Sequence, residues 1–273
     1  MSVTDIQQTG RLKSFLKDQL RNIAPVFTLL ALVIFFAAAS SSFFYVILTA
    51  EIDLSVAAVA NAVGITIAFF TLQPDYVNIA NLPLPGIIAI VLTLLTALAF
   101  GLITAFGVTW IGIPSFIMTL AIMQIANGVS ALLVRGQIAY SYPDLITMLG
   151  SGSIFGIRWT IIVAILFLGI GHLVLTYTRF GRYIYMTGGN REAAEYSGVN
   201  VKFIIGSVMV ISAVCSGIAG MLAVAYFGSA QQNQFDSYLL DAIAAVVVGG
   251  TSLFGGRGGI GNTIIRVLVL GGL

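Results

Sequence analysis

Residues Arg179–Lys202 read R-F-G-R-Y-I-Y-M-T-G-G-N-R-E-A-A-E-Y-S-G-V-N-V-K. This stretch holds four Lys or Arg and two Glu in a chain that is only 8% charged, and long apolar runs flank it on both sides. The chain has 273 residues, 59% of them hydrophobic, and a mean hydropathy of +1.04. Soluble domains are about 45–50% apolar and about 25% charged, so this chain has too little polar surface to cover itself in water. An all-α polytopic membrane protein is the class that fits. Its 30 glycines suit close helix packing in lipid. Lys and Arg beside spans mark the cytoplasmic side, which predicts that Arg179–Lys202 is a cytoplasmic segment.

Outward from that stretch, the chain divides into runs. Residues 1–24 form a polar leader carrying Arg11, Lys13, Lys17 and Arg21, also expected in the cytoplasm, with no small-residue cleavage site of a removable signal peptide. Residues 25–273 form one transmembrane domain. Apolar runs cover 26–50, 54–72, 86–110, 115–134, 159–177 and 203–227, against about 20 residues needed to cross a bilayer. Runs 238–248 and 263–273 are about half that length. The sum is about seven or eight transmembrane or half-membrane helices. Pro74, Pro83 and Pro85 break the chain into a loop, Gly112-Ile113-Pro114 marks a turn, and 135–158 reads as a polar extracytoplasmic loop. Trp159 and Tyr177 suit the membrane interfaces. Five runs separate the two basic segments, and an odd number of crossings would put them on opposite sides. Either one run does not cross or the sequence lacks a span.

Two stretches break the helical pattern. The first, T-A-E-I-D-L-S-V at 49–56, places Glu51 and Asp53 between apolar runs, where ionisable groups are expensive and face a partner or a cavity. Asp53 reads either as the N-cap of a small-residue helix running to about Phe70 or as part of a broken helix lining a pathway. Asp53, Ser55, Gln124 and Asn127 are the candidate pathway residues. The second, residues 249–262, reads G-G-T-S-L-F-G-G-R-G-G-I-G-N; Gly249, Gly250, Gly255, Gly256, Gly258 and Gly259 predict a tight turn after a half-helix.

Several chemistries are excluded. G-R-G-G-I-G matches the dinucleotide pattern but lacks a βαβ setting and a following acid, and G-T-S-L-F-G lacks the Lys-Ser/Thr of a P-loop. The single Cys215 forms no internal disulfide or CxxC motif. A lone histidine, His172, makes no metal site and reads as packed or hydrogen-bonded. No catalytic residue, metal or cofactor is expected in this chain, and no nucleic acid partner. Arg266, within I-I-R-V-L-V-L, either snorkels to an interface or pairs with a carboxylate. Within Asn190–Asn200, Asn190 can cap a short amphipathic helix that Gly198 stops. Such a helix between two spans predicts a protruding docking knob.

These residues resemble a known family. G-G-N-R-E-A-A-E-Y-S-G-V-N-V (188–201), the run L-L-D-A-I-A-A-V-V-V-G-G-T-S-L-F-G-G-R-G-G-I-G-N-T (239–263) and E-I-D-L-S-V (51–56) look like the permeases of ribose-type ABC sugar importers. I-P-S-F-I-M-T-L (113–120) and T-R-F-G-R-Y-I-Y (178–185) resemble two further elements of that family. The resemblance implies a non-enzymatic, membrane-spanning subunit of the bacterial inner membrane, paired with a second permease and surrounded by lipid. It implies cytoplasmic ATPase subunits that bind the ATP and Mg, and a periplasmic or lipid-anchored sugar-binding protein. Coupling to the ATPase would fall to Gly189, Asn190, Arg191, Glu192, Ala193, Ala194, Glu195, Ser197 and Gly198. The solute would be a monosaccharide such as ribose. Nucleosides, autoinducer-type furanosyl compounds and branched-chain amino acids remain alternatives, as do an ATPase-independent transporter or channel and an inactive remnant. Relative to the family, a stretch before E-I-D-L-S is missing, a small residue is expected where Arg266 stands, and the family continues beyond Leu273.

Overall fold

The computed structural model describes residues 44–72, 82–140, 142–154, 157–248 and 250–259. The leader, most of the 26–50 run, Gly249 and Arg266 lie outside the described residues. A helical turn at 44–48 is followed by α1 (Val56–Thr71), α2 (Gly86–Phe106), α3 (Ser115–Val134) and a short α4 (Asp144–Ser151). Then come α5 (Trp159–Tyr177), α6 (Arg179–Gly189), α7 (Arg191–Tyr196), α8 (Val201–Phe227) and α9 (Asp236–Val248). Strands are two residues long: β1 (Ala139–Tyr140) pairs antiparallel with β4 (Ser229–Ala230), and β2 (Ser153–Ile154) with β3 (Ile157–Arg158). Among the described residues, four helical segments are long and apolar enough to cross a membrane: Gly86–Ile111, α3, α5 and α8.

The arrangement follows from burial. The apolar stretch of α8 is 72% buried, against 22–28% for the other three spans. Thus α8 is the central post, and α2, α3 and α5 turn broad apolar faces outward, as helices do in lipid. The 16-residue α1 is buried on nearly every turn and packs along α8. Small residues permit this: Gly64 lies against Val224, and Gly217 against Ala97 and Val63. Without a hydrophobic drive between helices in lipid, such close backbone approach supplies the association energy. Three buried clusters stack along the bundle. One gathers 44–48, Leu175, Ile184, Ala194 and Val201; a middle one gathers Val59, Val63, Ala97 and Ile122; the far one gathers Leu72, Val134, Tyr142, Ile146 and Ala230.

Four expectations change. Within 179–202 a further helix, α6, precedes the expected α7, because Thr178 Oγ1 accepts the Gly181 N–H at 3.1 Å and starts a helix directly after α5. The region 135–158 contains α4, seated on α8 where Gly150 admits the Ala225 backbone. Asp53 is not the cap residue itself: Ser55 precedes α1 and Asp53 binds its N–H. His172 is exposed on α5, beside the buried stripe of Leu168, Gly171 and Leu175. The crossing count also becomes clear for the described residues. Leu48–Glu51 sits at the same end as α6 and α7, and α1, α2, α3 and α5 intervene, which is an even number of passages. Of the five runs, 26–50 is the one whose described end, residues 44–50, already lies on the side of Arg179–Lys202.

A Cβ at position 220 would overlap the Ala60 carbonyl. Gly220→Ala is expected to destabilise the α1–α8 contact by about 1–3 kcal/mol, read as a lowered Tm of the purified protein in detergent, while Gly128→Ala, which meets open space, leaves Tm unchanged or raises it.

Candidate functional site: a hub of three polar segments

The breaks in the helical pattern meet at one end of the bundle. The 44–48 turn closes with Ala50 at φ 60, and the Glu51 N–H reaches back to the Val46 carbonyl at 3.2 Å. That reversal sends residues 51–55 across the bundle as chain outside any helix or strand. The Gly256 N–H donates to the Leu48 carbonyl at 3.0 Å, joining the glycine turn to this segment. Gly188 of α6 wedges between them, and a Cβ there would overlap the Leu48 carbonyl. Gly255 (φ 80) and Gly256 (φ 66) need left-handed backbone as well as space, since both press on α6 backbone. Tyr185 Oη donates to the Gly258 carbonyl at 3.0 Å. Burial raises the Tyr185 pKa further, so its hydroxyl remains a neutral donor.

Helix α7 stands on this base. Asn190 Oδ1 accepts the Ala193 N–H at 3.0 Å, and Gly198 at φ 82 ends the helix, as the sequence predicts. Ala194 and Val199 are buried plugs in the hub cluster. Arg191, Glu192, Glu195, Tyr196 and Ser197 are exposed, Tyr196 at 90%. Beneath the helix, the Arg191 guanidinium pairs with the Glu51 carboxylate. The α7 knob is therefore tied by charge to the 51–55 segment.

That segment is held in turn by the bundle. The Ile52 N–H donates to Ser115 Oγ at 3.3 Å, and Thr119 Oγ1 donates to the Ile52 carbonyl at 3.3 Å, both on α3. Asp53 is buried and fully engaged. Its Oδ1 accepts from the Ser55 N–H at 2.9 Å and from Ser55 Oγ at 2.6 Å; its Oδ2 accepts from Ser212 Oγ of α8 at 2.8 Å. Of the four candidate pathway residues, Asp53 and Ser55 come together at the α1–α8 seam. Gln124 and Asn127 lie further along α3, Gln124 exposed and Asn127 half-buried with its Oδ1 unpartnered. Sequence reasoning flagged Glu51 as a carboxylate that faces a partner or a cavity but could not name the partner, because Arg191 lies 140 residues away. It also missed Tyr185 and Ser212, which are ordinary residues in apolar or amphipathic stretches. Among the described residues, no group of three or more His, Cys, Asp or Glu could hold a metal ion.

Arg191 is half-exposed, so its pair with Glu51 contributes only about 0–1 kcal/mol. The expected signature is therefore one of pairing. Arg191→Glu and Glu51→Arg each lower Tm by juxtaposing like charges, and the double exchange recovers most of the loss in a double-mutant cycle. Additive losses would show that the two side chains do not interact.

A family model for permease components of branched-chain amino acid transport systems matches residues 24–271. A ribose import permease of Haemophilus influenzae is 36% identical over 230 residues, covering 83% of this chain and 68% of the relative. A D-allose transport system permease of Escherichia coli strain K12 is 34% identical over 225 residues, covering 82% and 67%. A galactofuranose transporter permease of the same strain is 35% identical over 270 residues, covering 98% and 73%. No solved structure shows a significant match. On the extent of these matches and on the helical bundle that carries the motifs, the chain is a multi-pass membrane protein belonging to the ribose-type permease family of ABC importers.

Proposed function

We propose that this chain is the membrane-spanning subunit of an ATP-driven importer for a monosaccharide such as ribose or a related sugar. It would act in the bacterial inner membrane beside a second permease, with ATP and Mg bound by a separate cytoplasmic ATPase. A periplasmic or lipid-anchored sugar-binding protein would deliver solute to the opposite face. The observation that carries the reading is α7: a capped helix with a charged exposed face, mounted where all three polar segments meet. Its rigid footing matters. Ala194 and Val199 bury the inner face, so a push on Glu192 or Glu195 moves the helix as a body. The Arg191–Glu51 pair passes that displacement to residues 51–55, and Asp53 passes it to α8 through Ser212. The chain's part is thus mechanical coupling, with no bond made or broken.

A second reading concerns the solute alone. An autoinducer 2 import permease of Photorhabdus luminescens is 29% identical over 232 residues, so a compound of that kind is the alternative cargo.

Glu192→Arg combined with Glu195→Arg reverses the charge on the exposed face of α7 without touching its buried side. The double variant is expected to reach the membrane at normal levels, lose ATPase co-purification, and import labelled ribose at under a tenth of the unaltered rate. Normal co-purification and uptake in that variant would overturn the docking role. Competition by unlabelled ribose, allose, galactofuranose and autoinducer 2 in the unaltered transporter ranks the solutes.

A further inference from the structure

Beside the hub, an open groove of about 680 Å³ runs along the seam between α2 and α8. Leu102, Phe106 and Trp110 form one wall, each a turn apart on α2 and on the π-helical turn Gly107–Ile111 that continues it. Phe203, Val210 and Ile211 form the other wall on α8. The floor is made of small residues. A Cβ on Gly206 would meet Ala105 Cβ at 3.7 Å and Thr109 Cγ2 at 3.5 Å, so the two helices touch at the floor and the walls stand apart above it. At a rise of about 1.5 Å per residue, walls spanning 102–110 and 203–211 are about 12 Å long. One leaflet of bilayer hydrocarbon is about 15 Å deep. The span Gly86–Ile111 is only 22% buried, so this seam opens toward lipid.

The two ends of the groove differ in chemistry. Toward the hub, the π turn ends at Gly112 with φ 82. Such turns are rare and occur mostly at functional positions. Trp110 on this turn is 79% exposed, its ring stacked on Phe106 with centroids 6.5 Å apart and planes at 19°. A tryptophan at the end of a span lies at headgroup level, where its N–H meets polar partners. Asn200 and Lys202, both exposed, complete the same end. Asn200 Oδ1 accepts the Phe203 N–H at 3.0 Å, which leaves its amide NH₂ to donate outward. Lys202 alone is charged among the described residues that line the groove, and no carboxylate lines it. An apolar trough about one leaflet deep, with an ammonium and an amide donor at its interfacial end, has the layout of a phospholipid. A sugar would find no polar partner along these walls.

We infer that the α2–α8 groove is a site for an anionic phospholipid of the cytoplasmic leaflet, with its acyl chain along Phe106 and Phe203 and its phosphate on Lys202 and Asn200. The inference rests on the proposed orientation, with α7 in the cytoplasm, where the leaflet carries anionic lipid that attracts Lys and Arg. Ala105 of the floor also belongs to the buried cluster that holds Ala194, Val199 and Val201. An acyl chain in the groove therefore packs against the outside of the footing of α7.

The full chain in phosphatidylcholine vesicles provides the test, with a trace of diazirine-tailed phosphatidylglycerol or diazirine-tailed phosphatidylcholine as the probe. After photolysis, mass spectrometry reads the label on peptides covering 102–110 and 203–211. Phosphatidylglycerol is expected to label them about fivefold more than phosphatidylcholine. Lys202→Gln removes that preference and Lys202→Arg keeps it, while Gly206→Leu, which fills the floor, lowers labelling by both probes. Equal labelling by the two headgroups in the unaltered chain, or a preference unmoved by Lys202→Gln, overturns the site. No labelling by either probe, with Trp110→Cys chains forming disulfide-linked dimers in a Cys215→Ala background, gives the groove to a second copy of the chain and overturns the lipid. Tyr196→Cys in the same background is expected to stay unlabelled by an impermeant maleimide in right-side-out vesicles. Labelling there overturns the orientation, and with it the leaflet assigned to the lipid, separately from the headgroup preference.

Discussion

Backbone that leaves the helix inside a membrane protein must still find partners for its N–H and C=O groups, because lipid offers none. Residues 48–55 are where this chain meets that constraint, and the hub is the solution. The Leu48 carbonyl takes the Gly256 N–H, the Glu51 N–H takes Val46, Ile52 takes Ser115 and Thr119, and the Ser55 N–H takes Asp53. Partners therefore come from the glycine turn, from α3 and from the segment itself. Helices otherwise separate in sequence are drawn to one point because this short non-helical piece cannot stand alone.

The same contacts give the hub its mechanical character. Gly188, Gly255 and Gly256 bring backbone against backbone, with no side chain between them to yield. A buried carboxylate, Asp53, is tied to both α1 and α8, and a buried charge left without partners is strongly destabilising. The α6–α7 segment is thus joined to residues 48–51 by the tight Gly188–Leu48 contact and, more weakly, by the Arg191–Glu51 pair. The opposite end is tied down by other means. There the Gly228–Asp236 stretch is held by two bonds from the Asn61 amide, a two-residue ladder and the buried Ala230 and Phe235 side chains.

Much was legible from residue type and order. Apolar runs marked the spans, and α2, α3, α5 and α8 fall on them, because a membrane-crossing helix is written as continuous hydrophobicity. Asn190 and Gly198 marked α7, since caps act within a few residues of themselves. The reading of 135–158 as loop and the absence of a helix expected over 179–189 failed for one reason. α4 and α6 are short helices whose polar residues sit beside buried contacts with distant helices, and composition alone scores such stretches as loop. His172 was read as packed because a polar residue within a span suggests a partner; its face on α5 is decided by which stripe meets the bundle.

What the sequence determined by itself was local: membrane class, span positions, the capped helix, the glycine turn and, through the motifs, the family. These follow from hydrophobic length, capping chemistry and φ preference, each confined to a short window. Only the tertiary structure decided that Glu51 meets Arg191, that Asp53 meets Ser212, and that Asn61 holds residues 231 and 233. Those pairs are separated by well over a hundred residues. Nothing in a single side chain names its partner until packing of small residues brings α1 against α8 and closes the distance.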